Sequence, residues 1–139
     1  MKVMVDLNVL LDVIQRRHPH YDDSAQVVDA IIRNVIEGIL PSHGITTLAY
    51  ILGQHLSPEK TTEALEWLLK HFSVEPATHL SFRNALALAF ADFEDAVVHT
   101  LAESANCDFI ITRNVDDFVE ATLPVVTPTQ FLEYLESLT

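Results

Sequence analysis

Three acidic groups sit where side chains can do chemistry. They are Asp6 after the short run Lys2-Val3-Met4-Val5, the Asp92-Phe93-Glu94-Asp95 segment, and Val115-Asp116-Asp117 after Asp108-Phe109-Ile110-Ile111-Thr112. Asp92 and Asp95 are three residues apart, so on a helix their carboxylates share a face and repel by a few tenths of a kcal/mol, which invites a cation. Glu94 points elsewhere on such a helix and is read as solvated. Hard oxygen ligands of this kind suit Mg²⁺ or Mn²⁺, ions that retain waters and accept one or two carboxylates plus a substrate phosphate. Hydrolysis of a phosphodiester is the reaction class that follows, since a bound metal acidifies water and neutralises charge developing on phosphate. The ordinary alternative is capping: an aspartate at a helix start satisfies free backbone N–H groups, which alone accounts for Asp6, Asp92 or Asp117 taken singly.

Other polar groups are ranked by the same chemistry. Arg16, Arg17 and Arg113 are the candidates for phosphate contact, because a guanidinium engages two phosphate oxygens at once; salt bridges to the many acids are the competing use. Thr46, Thr47 and Ser24 offer hydroxyls that orient water or phosphate, although Ser24 reads better as a helix cap. Seven histidines, including His18-Pro19-His20, come without HExxH or paired-cysteine spacing, so no zinc site is expected. His43 could approach the crevice, but a surface histidine is the commoner case. Trp67 with Leu65, Leu68 and Leu69 reads as core or a partner-facing helix side rather than a base-stacking platform.

The elements that must position these groups alternate. Residues 2 to 5 read as a buried strand followed by a helix to about residue 15. Val27, Val28, Ile31, Ile32 and Val35 mark an amphipathic helix from about Ser24 to Ile36, with Gly38 as its stop signal. Ile39-Leu40 is a brief strand before a helix from about Ile45 to Leu56. Ser57-Pro58 is a cap followed by proline, opening a helix to about His71, and Phe72 to Glu75 is a strand. Helices from about Leu80 to Phe90 and from Asp92 to about Ser104 precede a strand at Asp108 to Thr112. Val125-Val126 is the last strand. Thr127-Pro128 starts a terminal helix with Phe131, Leu132 and Leu135 on one face. Strands separated by helices imply a mainly parallel sheet covered on both faces, with function at the strands' carboxyl ends, where Asp6 and the 112–117 segment lie.

The 139 residues fall within the range of one domain, spanning 1–139, that buries roughly two thirds of its unfolded surface. Hydrophobic residues at 49% and charged residues at 20% are globular values, and no apolar run is long enough to span a bilayer. The N-terminus reads as neither signal peptide nor anchor, and one cysteine, Cys107, fits a reducing cytoplasm. Twenty acidic against eight basic side chains give a formal net charge of -12, which argues against simple electrostatic binding to nucleic acid unless cations intervene.

The blocks VDLNVLLDVIQRRHPHYDDSAQV, HGITTLAYIL, DFEDAVVHTLAESANCDFIITRNVDDF and VVTPTQFL resemble, in order and over nearly the whole chain, the PIN-domain superfamily, most closely its VapC-type toxin branch. The resemblance implies a three-layer α/β/α fold and a metal-dependent endoribonuclease. It makes Asp6 and Asp95 the principal metal ligands, Asn8 an active-site polar neighbour, and Asp92 a weaker ligand. Many relatives carry an acid where this chain has Asn114, so Asp117 is taken as the third carboxylate with Asn114 as support. It further implies an antitoxin partner and a homodimer. Many PIN nucleases also place a glutamate where this chain has Tyr50. The missing carboxylate counts against two-metal occupancy and strong activity, and motivates the alternative of a catalytically weakened PIN-fold module for binding or regulation. A phosphatase with Asp-x-Asp after the first strand ranks last, since the sequence there is Asp6-Leu7-Asn8, and a receiver domain lacks its distal lysine partner.

Overall fold

A computed structural model describes residues 1–139. Five strands pair in parallel in the order β3-β2-β1-β4-β5, with β1 at Lys2–Val5, β2 at Glu37–Pro41, β3 at Phe72–Glu75, β4 at Phe109–Ile111 and β5 at Val125–Val126. The chain builds outward from β1 through β2 to β3, then returns to the other side of β1 for β4 and β5. Strand order therefore reverses between β1 and β4, the place where an open α/β sheet leaves a crevice at its carboxyl edge. Val3 pairs with Phe109 and Val5 with Ile111, so Asp6 and Thr112 emerge side by side at that edge.

Period-two alternation along the strands feeds two separate cores. Val3, Val5, Leu40 and Ile111 face one side, where they meet α1 (Leu7–Ile14), α2 (Tyr21–Ile32), α3 (Ser42–Gly53), α4 (Pro58–His71) and α7 (Pro128–Ser137). Met4, Ile39 and Ile110 face the other, against α5 (His79–Leu86) and α6 (Phe93–Ser104). This is the three-layer α/β/α arrangement expected from the alternation of elements. Trp67 packs against the first core, as a core or flanking side chain would.

Local signals set most boundaries. Ser57 accepts a hydrogen bond from the Lys60 N–H at 3.2 Å with Pro58 in the first turn, and Thr127 and Gln130 form a reciprocal capping box. Two expectations need correction. The second helix starts at Tyr21 and ends at Ile32, and its stop is Asn34, which takes the left-handed φ of 60° that asparagine tolerates. Gly38 is instead a strand residue: a Cβ there would lie 2.8 Å from Ile31 Cδ1 and from the Phe72 ring, so glycine is required by close packing of α2 and β3 on β2. The third helix also begins earlier than expected, at Ser42, directly from β2. No helix is long and apolar enough to cross a membrane.

Candidate active site

Asp6 ends β1 and caps α1, accepting the Leu7 N–H at 2.7 Å through Oδ1. Capping occupies only one of its two carboxylate oxygens. Its other oxygen accepts the Thr112 hydroxyl at 2.8 Å, across the β1–β4 switch point, and the Asn8 amide at 3.4 Å. Asn8 also accepts the Arg113 N–H at 3.4 Å, so it ties the ends of β1 and β4 together beside Asp6. Burial pushes the Asp6 carboxyl above the usual carboxylate range; the Thr112 hydrogen bond opposes that, the Glu94 charge adds to it, and the Leu7 N–H and Arg113 oppose it again.

Asp95 lies in the first turn of α6. Asp92 is the cap of that helix, accepting the Asp95 backbone N–H at 3.2 Å. Burial, and then the charges of Glu94, Asp92, Asp6 and Asp117, push Asp95 up to about 7. Those named charges gather residues from β1, α6 and the turn after β4 into one acidic crevice. Glu94 corrects the expectation of a solvated bystander. It is half exposed, yet its charge acts on both Asp6 and Asp95, and it lies 3.9 Å from His43 Nε2. First-turn side chains lean back toward a helix's N-terminus, which here is the crevice.

Asp117 is carried by a 3-10 turn, Val115–Phe118, unforeseen in the sequence. Phe118 buries into the second core and pins that turn, while the Asn114 N–H donates to Thr112 Oγ1 at 3.1 Å and the Asn114 carbonyl accepts the Asp117 N–H at 3.0 Å. Asn114 therefore shapes the turn through its backbone. Asp116 is exposed, as expected.

The remaining candidates divide. His43, considered unpromising, does border the crevice at Glu94. Thr46 and Thr47, both exposed on α3, spend their hydroxyl donors on the His43 carbonyl at 3.1 and 3.3 Å. Arg16 and Arg17 follow the far end of α1, about 12 Å along the helix from Asp6, and Arg17 bonds Gln15. Ser24 is a buried residue inside α2, not a helix cap or crevice group, and donates to Asp12 at 3.2 Å. Asp12, unnoticed in the sequence, is fully buried and holds Arg113 Nε at 2.9 Å, so the arginine nearest the crevice is fixed by an ion pair. Thr112 was missed too. The signal for both was present: each is a polar residue inside or directly after an apolar run, Asp12 in Val9-Leu10-Leu11-Asp12 and Thr112 after Ile110-Ile111. Tyr50 is exposed on α3 and brings no carboxylate to the crevice. Cys107 is buried, which pushes its thiol up to about 12 and leaves it inert.

Apart from His43 at its border, the crevice offers hard oxygens. No three acidic, histidine or cysteine side chains close tightly enough to enclose an ion by themselves. That open set fits Mg²⁺ or Mn²⁺, which retain water and demand few protein ligands, better than a metal held in a closed tetrahedral cage.

A parallel sheet in this order, with carboxylates meeting at its switch point, defines an acidic-site α/β/α domain. The PIN domain family matches residues 2–116, and the chain belongs to that family. It is 25% identical over 142 residues to Ribonuclease VapC1 of Aquifex aeolicus (strain VF5), an alignment covering 99% of this chain and 97% of the relative. Its fold is similar to a chain in the structure of VapBC2 from Rickettsia felis bound to a DNA fragment from their promoter, with a TM-score of 0.71 at 16% identity, covering 91% of this chain and 98% of that one. It is also similar to a chain of a toxin-antitoxin complex from Klebsiella pneumoniae, with a TM-score of 0.68 at 20% identity, covering 91% and 97%. At these identities the structural likenesses establish the fold.

Proposed function

We propose that this protein, as one domain over residues 1–139, is an endoribonuclease that hydrolyses RNA phosphodiester bonds with Mg²⁺ or Mn²⁺ and acts as the toxin half of a toxin–antitoxin pair. The observation that carries the proposal is the gathering of Asp6, Asp95 and Asp117, with Asp92 and Glu94, at the β1–β4 switch point, where burial and then the neighbouring charges push Asp95 up to about 7. Such a set disfavours its own ionisation until a cation arrives, and in that sense it is built for one. The relative named Ribonuclease VapC1 supports the substrate class, and the VapBC complexes among the structural likenesses support an antitoxin partner. A homodimer in the cytoplasm completes the proposal by family resemblance.

In this mechanism Asp6, Asp95 and Asp117 hold the ion, with Asp92 both capping α6 and adding charge. When bound, the ion supplies positive charge against the developing charge on the phosphate and acidifies water. Thr112 and Asn8 orient Asp6 by the hydrogen bonds described above. Glu94, absent from the ligand set read from the sequence, brings a further carboxylate to the crevice from α6 where the family position at Tyr50 has none.

The test is cleavage of labelled single-stranded RNA in Mg²⁺, Mn²⁺ or EDTA by wild type, Asp6→Asn and Asp95→Asn. Cleavage by wild type alone, lost in EDTA, is expected. Equal cleavage by all three proteins overturns the mechanism. Absence of both cleavage and calorimetric metal binding in the wild type transfers the fold to the binding or regulatory module.

A further inference from the structure

Beside the acidic crevice lies a second cavity of about 360 Å³ between the N-terminal ends of α2 and α7, bordered by His20, Asp23, Ser24, Arg113, Thr127 and Thr129 together with two prolines. A cavity of about 500 Å³ at Asp117 and Asn114 shares Arg113 and Thr127 with it, so the two form adjoining compartments divided by the arginine. Of the crevice carboxylates Asp117 borders the larger compartment, so an RNA strand with a phosphate at Asp117 can set the neighbouring nucleotide across Arg113 in the other.

The charges there decide what that compartment takes. Arg113 is already neutralised by Asp12, whose carboxylate lies 2.9 Å from Nε and also receives the Ser24 hydroxyl. Fully buried, Asp12 keeps the guanidinium in one orientation. The terminal nitrogens of Arg113 make no hydrogen bond within the protein. Asp23 adds a negative charge to the wall; one of its oxygens accepts the Thr129 hydroxyl, and the other has no partner. A phosphate in this compartment gains from the two helix N-termini but meets a compensated arginine and an uncompensated carboxylate, so its charge finds no free cation. A neutral group with hydrogen-bond donors on one edge and acceptors on another satisfies both walls. Unpaired RNA bases are read in this way, by edge hydrogen bonds with stacking on flat side chains, and the His20 ring and the prolines supply flat surfaces. Guanine fits this pair of walls: its O6 and N7 are the acceptors that a guanidinium fork matches, and its N1–H and amino group are donors for a carboxylate.

We infer that the Arg113–Asp23 compartment is a base-recognition subsite that receives a guanine next to the scissile phosphate. The inference rests on the ribonuclease reading for its biological meaning but is tested apart from it. In the first arm, cleavage positions are mapped by sequencing on a randomised single-stranded RNA with Mn²⁺. Guanine is expected to be enriched about tenfold at one position adjacent to the cut, and Asp23→Asn removes the enrichment. In the second, the full metal-free chain is titrated with GMP, AMP, CMP, UMP and inorganic phosphate while the backbone amide resonances of Ser24 and Thr129 are followed. GMP is expected to shift them at concentrations about tenfold below those the other nucleotides need, and Asp23→Asn, shown folded by its dispersed spectrum, abolishes that difference. Shifts by GMP without any RNA cleavage sustain the subsite and sink the ribonuclease reading. Cleavage without base preference, or saturation of the same amides by inorganic phosphate alone, overturns the subsite and leaves the ribonuclease standing. Enrichment of another base overturns the guanine assignment.

Discussion

Helix α6 carries two polar clusters a single turn apart, built on opposite principles. At its N-terminal end Asp95 faces four like charges and has no hydrogen-bond donor for its carboxyl, so burial and repulsion push it up to about 7. One turn later His99, fully buried, has a neighbour at each ring nitrogen, a hydrogen bond at Nε2 and a carboxylate beside Nδ1. The Thr122 N–H donates to Nε2 at 3.0 Å, which fixes the proton on Nδ1, and Nδ1 lies 3.2 Å from Glu103 Oε1. The Thr122 hydroxyl closes the ring by donating to Glu103 at 3.2 Å. Phe90 packs beside the imidazole and in turn against Phe118, which ties the cluster to the turn bearing Asp117. The contrast separates two uses of a polar group: given a donor and an opposite charge, it fastens segments together; left among like charges, it stores a preference for a ligand.

The largest effect should come from breaking the unsatisfied cluster. Asp95→Asn removes a ligand and should lower RNA cleavage by more than the roughly 10- to 100-fold that losing a residue behind a metal ligand costs. The same substitution relieves repulsion, so the metal-free variant should melt at a higher temperature than wild type at pH 8. Calorimetry of EDTA-treated proteins checks this, and a lower melting temperature for the variant would show that the carboxylates do not oppose one another.

Addition of Mg²⁺ should then invert that order. A cation that binds only the folded state stabilises by mass action, and at about 100 times its Kd the gain is about 2.7 kcal/mol. Wild type should gain melting temperature on adding Mg²⁺, and Asp6→Asn and Asp95→Asn should gain little. Equal shifts in all three would place the cation elsewhere on this acidic surface.

The histidine cluster should respond in stability more than in chemistry. His99→Leu keeps the bulk but removes the Thr122 N–H bond, and because Thr122 and Glu103 reach water the loss is about 1 kcal/mol. Urea unfolding at pH 8 measures it. A variant as stable as wild type would mean that the ring fills space and fastens nothing.

How much of this could be seen in the sequence follows from the range of the forces involved. Strands and caps are written locally, so β3, β5, the Ser57-Pro58 start and the Thr127 box sit where the residues say. The stop at Asn34 and the role of Gly38 were misread because a buried glycine answers to Ile31 and Phe72, contacts made only in the folded sheet. Asp6 and Asp95 could be singled out by position after a strand and at a helix start. Asp12 and Thr112 left a signal as polar residues at apolar runs, but their partners did not, and Glu94 and the His99–Thr122–Glu103 ring left none, because each depends on a residue that the fold brings from far along the chain. Arg113 shows the same limit: a salt bridge is the competing use expected for it, but its partner Asp12 is named only by the fold.

The smallest effect, and the one that isolates the comparison, is the pH dependence of stability without metal. Asp95 has a folded value of about 7 against an ordinary 3.8, so between about pH 4 and 7 the folded chain holds more protons than the unfolded one, and stability falls as pH rises. Asp6, also raised, has the same sign. His99 runs the other way. Burial lowers its value below the ordinary 6.5 despite the Glu103 charge, so as pH falls through 6.5 the unfolded chain takes a proton that the folded ring refuses, and stability is lost. The two slopes oppose each other below pH 6.5, and the wild-type curve should be flatter than either variant's. Urea midpoints at pH 5, 6 and 7 should rise with pH more steeply in Asp95→Asn, where the histidine acts with less opposition, and fall with pH in His99→Leu, where the carboxylates act alone. Parallel curves for the three proteins would mean that neither group's protonation is coupled to folding, and the distinction between the clusters would then be one of geometry only.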